Sequence, residues 1–165
     1  HTVLVSRSGL VTVTGGKWTT YRAMAEDVLD ACADRSLLER RAKGVTTHLK
    51  LVGSGVPAAQ IRSICMPPGL HSYGDEQAVV QAMPGADRML CEGLSEGMVR
   101  FAARHEYAIT VEDMLARRSR LLFLDARLAA TLAHAVGEIL RQETGIDPQI
   151  EAFTALAQHY LQLPV

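Results

Sequence analysis

The residues of this sequence best placed to do chemistry are Gly15, Gly16 and Lys17, which stand between a strand-like run and the start of an amphipathic helix. Leu10, Thr12 and Thr14 alternate with Val11 and Val13, the period of a strand with one buried face. The two glycines let the backbone turn sharply with no Cβ in the way. Thr19 or Thr20 can then cap a helix whose apolar positions Met24, Val28 and Leu29 recur at helical spacing. Strand, Gly-Gly, Lys and helix start bring backbone N–H groups, a helix dipole and a cation to one point. Such a point favours an anion or a polarised oxygen. The same residues also suit a tight strand-to-helix connection with no ligand, and spacing alone does not choose between the two. It does exclude a nucleotide phosphate loop, because Val11 stands where that loop needs its first glycine and Trp18 where it needs Ser or Thr.

Other reactive residue types are less organised. The six histidines are scattered, with no HxxxH pair and none beside two carboxylates, so no metal site is expected. Cys32, Cys65 and Cys91 are odd in number, far apart and without a CxxC, which favours reduced thiols over a disulfide framework or a zinc site. Met66, Met83, Met89, Met98 and Met114 read as packing residues. The basic run Arg117-Arg118-Ser119-Arg120 has two readings. It can touch phosphate or an anionic membrane, or it can be part solvated face and part internal ion pairing, with Glu106–Arg118 as one concrete pair.

The elements that must position these residues are mostly helical. Thr2 to Ser6 and Leu10 to Thr14 form a hairpin through Arg7-Ser8-Gly9. A helix runs from about Thr19 to Asp34, and residues 36–43 extend it or form a second short helix stopped by Gly44. Gly53-Ser54-Gly55 is a turn. Pro57 starts a helix through about Cys65, ended by Met66-Pro67-Pro68-Gly69. Asp75 to Met83 is another helix, closed by Pro84-Gly85. Ser95 is an N-cap with Glu96 and Arg100 at i,i+4 behind it. Thr110 and Asp113 make a capping box with Asp in the usual Glu place. Asp125 starts the longest helix, with Leu128, Leu132, Val136, Ile139 and Leu140 as its stripe and Gly145 at its end. Asp147-Pro148 opens the last helix as N-cap and N1, with Ile150, Phe153, Leu156, Ala157, Tyr160 and Leu161 buried. The fold expected is mainly α: a bundle of about five or six helices preceded by a short N-terminal β-hairpin.

Composition agrees with a globular protein. Apolar residues make up 48% of the 165 and are interspersed with charges. A formal net charge of −1 gives no electrostatic case for nucleic acid. No secretory signal is visible, and no apolar run nears the ~20 residues of a membrane-spanning helix. The chain opens on His1 and goes directly into strand-like sequence, so it reads as a segment of a longer protein.

Residues HTVLVSRSGLVTVTGGKWTTYRAMAED resemble the last part of the flavin domain in FAD-dependent glycerol-3-phosphate dehydrogenases and the related alpha-glycerophosphate oxidases. ARHEYAITVEDMLARRSRLLFLDARLA resembles a second block of that family, in its helical C-terminal cap domain. Asp34 to Gly93 matches more loosely, although HSYGDEQ is similar to a Tyr-Gly element of the same cap. The resemblance implies that residues 1–18 are the end of an FAD-binding domain and residues 19–165 the cap. It implies that Gly15, Gly16, Lys17, Trp18 and Thr19 lie along the flavin ring, with Lys17 at the chemistry. The implied reaction oxidises sn-glycerol 3-phosphate to dihydroxyacetone phosphate, with electrons passing through FAD to quinone or oxygen. The glycine-rich dinucleotide motif, the proton acceptor and most phosphate-binding arginines would lie outside these 165 residues, which are therefore not expected to retain FAD alone. The resemblance also carries expectations of a cytoplasmic enzyme, peripheral on the inner face of the cell membrane, and of a homodimer. The alternative from another class is a freestanding helical interaction module without catalysis.

Overall fold

The computed structural model describes residues 1–40, 44–63 and 65–162. The chain divides into two compact bodies, residues 1–50 and residues 51–165, and each is taken by itself.

In the first body, strand β1 (Thr2–Val5) pairs antiparallel with β2 (Val11–Thr14), Val3 opposite Val13 and Leu4 opposite Thr12. The turn is closed on both sides of Ser6. Its N–H donates to Leu10 O at 2.9 Å, and its carbonyl accepts from Gly9 N at 3.1 Å. After the glycines comes a 3-10 turn, Trp18–Thr20, and then helix α1 (Tyr21–Asp34), as the spacing of apolar residues predicts. His1 Nε2 lies 2.6 Å from Asp27 Oδ2 and ties the first strand's start to the helix.

Helix α1 does not continue past Asp34. Ser36 takes a left-handed φ of 56°, its N–H reaches Ala33 O at 3.0 Å, and Leu37 N–H reaches Cys32 O at 2.9 Å. Those two bonds close a helix end of the kind glycine usually makes. Residues 36–40 are therefore not helical, and 41–43, the rest of the expected extension, lie outside the described residues.

The second body contains most of the helix. It begins with turns at 52–56, and the expected Pro57–Cys65 helix reduces to one 3-10 turn, Ala58–Gln60, with Ile61 already extended. Ile61 stays exposed there, so the turn gains no buried apolar face of the kind that sustains a short helix, and residue 64 lies outside the described residues. A 3-10 run, Leu70–Glu76, leads into helix α2 (Gln77–Gln81). Strands β3 (Met89–Cys91) and β4 (Leu94–Ser95) make a small antiparallel pair that sequence analysis does not anticipate. Helix α3 (Glu96–His105), a π-helical turn (Asp113–Arg118), helix α4 (Leu121–Leu124), helix α5 (Ala126–Thr144) and helix α6 (Ile150–Tyr160) complete the body. The architecture is mainly α, as expected.

Three caps read from sequence stand where they should. Ser95 Oγ accepts from Met98 N at 3.3 Å, and Asp125 Oδ1 accepts from Leu128 N at 2.9 Å. Thr110 and Asp113 exchange both bonds of a capping box, at 2.9 and 3.1 Å. The last helix departs from expectation. Asp147 Oδ1 accepts from Gln149 N at 3.1 Å, but Pro148 O is taken by Val111 N–H at 2.9 Å. Gln149 then turns left-handed, and the helix starts at Ile150 rather than at Pro148.

The core is built on Phe101, Phe153, Met114, Leu115, Leu122, Leu140, Val99, Val111 and Val136. Helix α5 meets its neighbours through Ala126, Ala129, Ala133, Val136, Gly137 and Leu140, while Leu128 and Leu132 of the expected stripe are only half-buried. The small residues are needed because a Cβ on Gly137 would lie 2.4 Å from Ile150 Cγ1. On α6, Phe153 and Ala157 are buried, but Tyr160 and Leu161 are exposed.

Candidate functional site

In the first body, Gly15, Gly16, Lys17, Trp18 and Thr19 form one continuous exposed turn. Gly15 has φ 74° and Gly16 φ 96°, both in the region glycine reaches without steric cost. A Cβ on Gly16 would also meet Met24 Sδ at 2.4 Å, so the first turn of α1 is drawn up against the loop. Lys17 is extended, with φ −124° and ψ 152°.

Thr20 does not cap forward into α1. Its Oγ1 accepts from Lys17 N at 3.3 Å and donates to Lys17 O at 2.9 Å, fastening both backbone groups of the lysine. This clamp fixes where the side chain of Lys17 leaves the backbone. Among the described residues, the amides of Gly15, Gly16, Trp18 and Thr19 have no protein partner. Trp18 is 85% exposed and its ring stacks on Tyr21, centroids 5.3 Å apart. The turn therefore offers four free N–H donors, a cation and a flat aromatic face within five residues. That set can hold negative charge beside a planar group.

In the second body the charged residues are mostly spent on structure. Arg100 joins Glu96 and Glu143 at 2.5 Å each, and Arg104 adds a second grip on Glu143 at 2.6 Å, binding α3 to α5. The hydrogen bonds from Arg104 and Arg100 hold the Glu143 carboxyl below the usual carboxylate range. The basic run resolves in the same way. Arg117 pairs with Glu112 and Asp113 at 2.6 and 2.9 Å, and Arg118 Nε lies 3.7 Å from Glu106 Oε2. Of its two sequence readings, internal ion pairing accounts for Arg117 and Arg118.

The feature that sequence analysis misses is a groove of about 770 Å³ in this body. Its lining comes from residues as far apart as Val52 and Leu124. No local motif could reveal it, because its walls are five separate segments.

Comparison with known proteins gives the turn its context. The family described as the C-terminal domain of alpha-glycerophosphate oxidase matches residues 14–150. The chain belongs to that family. It is 36% identical over 172 residues to glycerol-3-phosphate dehydrogenase SDP6, mitochondrial, of Arabidopsis thaliana, a match covering 87% of this chain and 27% of that protein. It is 34% identical to a probable mitochondrial glycerol-3-phosphate dehydrogenase of Dictyostelium discoideum, over 76% of this chain and 22% of that protein. With mitochondrial glycerol-3-phosphate dehydrogenase of Homo sapiens the identity is 33%, over 89% and 23%. The chain thus spans about a quarter of the length of these curated relatives. No solved structure matches it at a significant level.

Proposed function

We propose that this chain is the C-terminal part of a flavoprotein that oxidises sn-glycerol 3-phosphate to dihydroxyacetone phosphate and passes the electrons to quinone or oxygen. The observation that carries this reading is the Gly15-Gly16-Lys17 turn, standing at the start of the matched stretch with its donors unspent. FAD, when bound, accepts hydride from the substrate carbon that becomes the ketone. The residues present fit such a group, because negative charge gathers on one edge of the ring and the turn is a set of positive partners.

Each residue has a physical task in this reading. The free amides of Gly15 and Gly16 point positive potential at the ring edge without reorganising, as oxyanion-type donors do. Lys17 adds a full charge, and the Thr20 clamp keeps its backbone from swinging away. Gly16 keeps the loop low, since a side chain there would push against Met24. Trp18, stacked on Tyr21, supplies a flat apolar surface next to the cation in sequence.

Lys17→Met in the longer protein tests the assignment, since it keeps the apolar stem and removes the charge. Loss of one charge-assisted contact is worth about 1.5–3 kcal/mol, or about ten- to a hundredfold in the rate of flavin reduction. The flavin midpoint potential falls with it if Lys17 faces the ring. If Lys17 grips the substrate phosphate instead, substrate affinity drops and the potential of the free enzyme stays put. A variant with unchanged potential, affinity and reduction rate removes Lys17 from the site.

A further inference from the structure

Gly15 and Gly16 both have positive φ, and among the described residues their amides make no hydrogen bond within the protein. A glycine pair of this kind is the most pliable backbone a chain can have, so its shape must be held by what packs on it. Two side chains do so. The space a Cβ on Gly16 would need is taken by Met24 Sδ, and His1 Cβ lies 3.3 Å from the same point. A Cβ on Gly15 would lie 3.6 Å from His1 Cα. His1 is thus the residue that both glycines rest against.

His1 is itself anchored. Its Nε2 lies 2.6 Å from Asp27 Oδ2. A carboxylate only accepts, so Nε2 carries the proton and donates. The imidazole side chain is mostly covered, at 22% exposed, while that of Asp27 is 56% exposed. Met24 and Asp27 stand three residues apart on α1, on one face of the helix. Helix α1 therefore reaches the turn twice, directly through Met24 and indirectly through Asp27 and His1. Lys17 has its own support in the Thr20 clamp, which leaves the two glycine amides to His1. Fixed donors keep their worth only while they stay aimed, and a displacement of about 1 Å can cost about a hundredfold in rate.

We propose that His1 and Asp27 are a positioning pair for the amides of Gly15 and Gly16, with the imidazole as the packing surface and the carboxylate as its anchor on α1. The pair acts through the turn and not on the reacting atoms, and the inference rests on the flavin reading of that turn.

The test uses the longer protein with FAD bound. His1→Ala and Asp27→Ala should each lower the flavin midpoint potential and slow flavin reduction by glycerol 3-phosphate about tenfold, because amides that wander stabilise the reduced ring less. The double variant should be no slower than either single one, as for two residues that work as a unit. His1→Gln keeps an N–H donor at about the reach of Nε2 and should recover most of both losses. A pair that only held the fold together would lower the unfolding temperature and leave the potential alone. Asp27 is the more exposed member, so Asp27→Ala carries the test if His1→Ala does not fold. Lys17→Met, measured alongside, separates this idea from the one beneath it. If Lys17→Met changes potential, substrate affinity or rate while His1→Ala and Asp27→Ala change none of them, the positioning role is overturned and the flavin reading stands. If none of these variants changes any of the three, the flavin reading of the turn falls and takes this inference with it. Additive losses in the double variant, or no recovery with His1→Gln, would also overturn the pairing.

Discussion

Two glycines with similar φ, Gly74 and Gly145, make very different demands on their surroundings. Gly74 has φ 59° and ψ −130° and stands so close to the neighbouring turn that a Cβ would lie 1.8 Å from Gly53 O. Gly145 ends α5 at φ 70° with nothing within 4 Å of its would-be Cβ. Gly145→Ala should therefore cost only the left-handed strain, about 1 kcal/mol. Gly74→Ala must also separate two backbone segments, and should cost about 3 kcal/mol or more. Urea unfolding of both variants checks the ordering, and equal losses would show that the Gly53–Gly74 approach relaxes freely. Carboxylates split in the same residue-specific way. Glu143, depressed by its hydrogen bonds from Arg104 and Arg100, contributes stability at neutral pH that is lost as pH falls through its lowered folded pKa. Glu143→Gln should thus cost about 1.5–3 kcal/mol at pH 7, with the gap closing on acidification. Glu106 is raised, so the sign reverses: its charge opposes folding above the ordinary carboxylate range and Glu106→Gln stabilises there. Stability curves from pH 7 to pH 3 for the two variants should move in opposite directions.

At the scale of elements, what was legible in the sequence was what is decided locally. Ser95, Thr110 with Asp113, and Asp125 cap their helices through bonds that span three residues. The Glu106–Arg118 pair was legible for a similar reason, since a single turn separates the two helical segments. Elements settled by tertiary packing were misread. The buried face of α5 moved onto its alanines because α6 approaches within reach of Gly137, a fact no hydrophobic count contains. The start of α6 slipped by two residues because a distant amide, Val111 N–H, claimed Pro148 O. The end of α1 at Asp34 is where the sequence puts it. The helical continuation expected from residue 36 is not seen over 36–40, where the left-handed position that stops the helix is filled by Ser36 and not glycine. That substitution leaves room for improvement. Ser36→Gly keeps the two closing bonds and removes the strain, so it should stabilise the first body by about 1 kcal/mol. A hydrogen-exchange measurement on α1 amides should show slower opening near Cys32, and unchanged or faster exchange would mean the serine is not strained there.

At the scale of the molecule, the turn and the groove were unequally visible. Five adjacent residues carry the turn, so sequence alone could point to it. The groove draws on residues from 52 to 124 and emerges only when the helices are packed. The two bodies also differ in how far they bury their own apolar residues. In the second, the large side chains close into a core. Among the described residues of the first, only Cys32 of α1 is buried, while Leu4, Leu10 and Val13 of the hairpin stay exposed, Leu10 by 67%. A two-stranded sheet with two free edges and apolar side chains beside them is a template for another strand. For this chain by itself the expected outcome is that a second hairpin supplies that strand, giving concentration-dependent self-association. Leu10→Lys puts a charge on the exposed apolar position without touching the packing of α1. Sedimentation should then show the associated form diminished at equal concentration while circular dichroism stays the same. The same mass distribution for both proteins would place the association elsewhere and leave the hairpin edge as an inert feature of the fold.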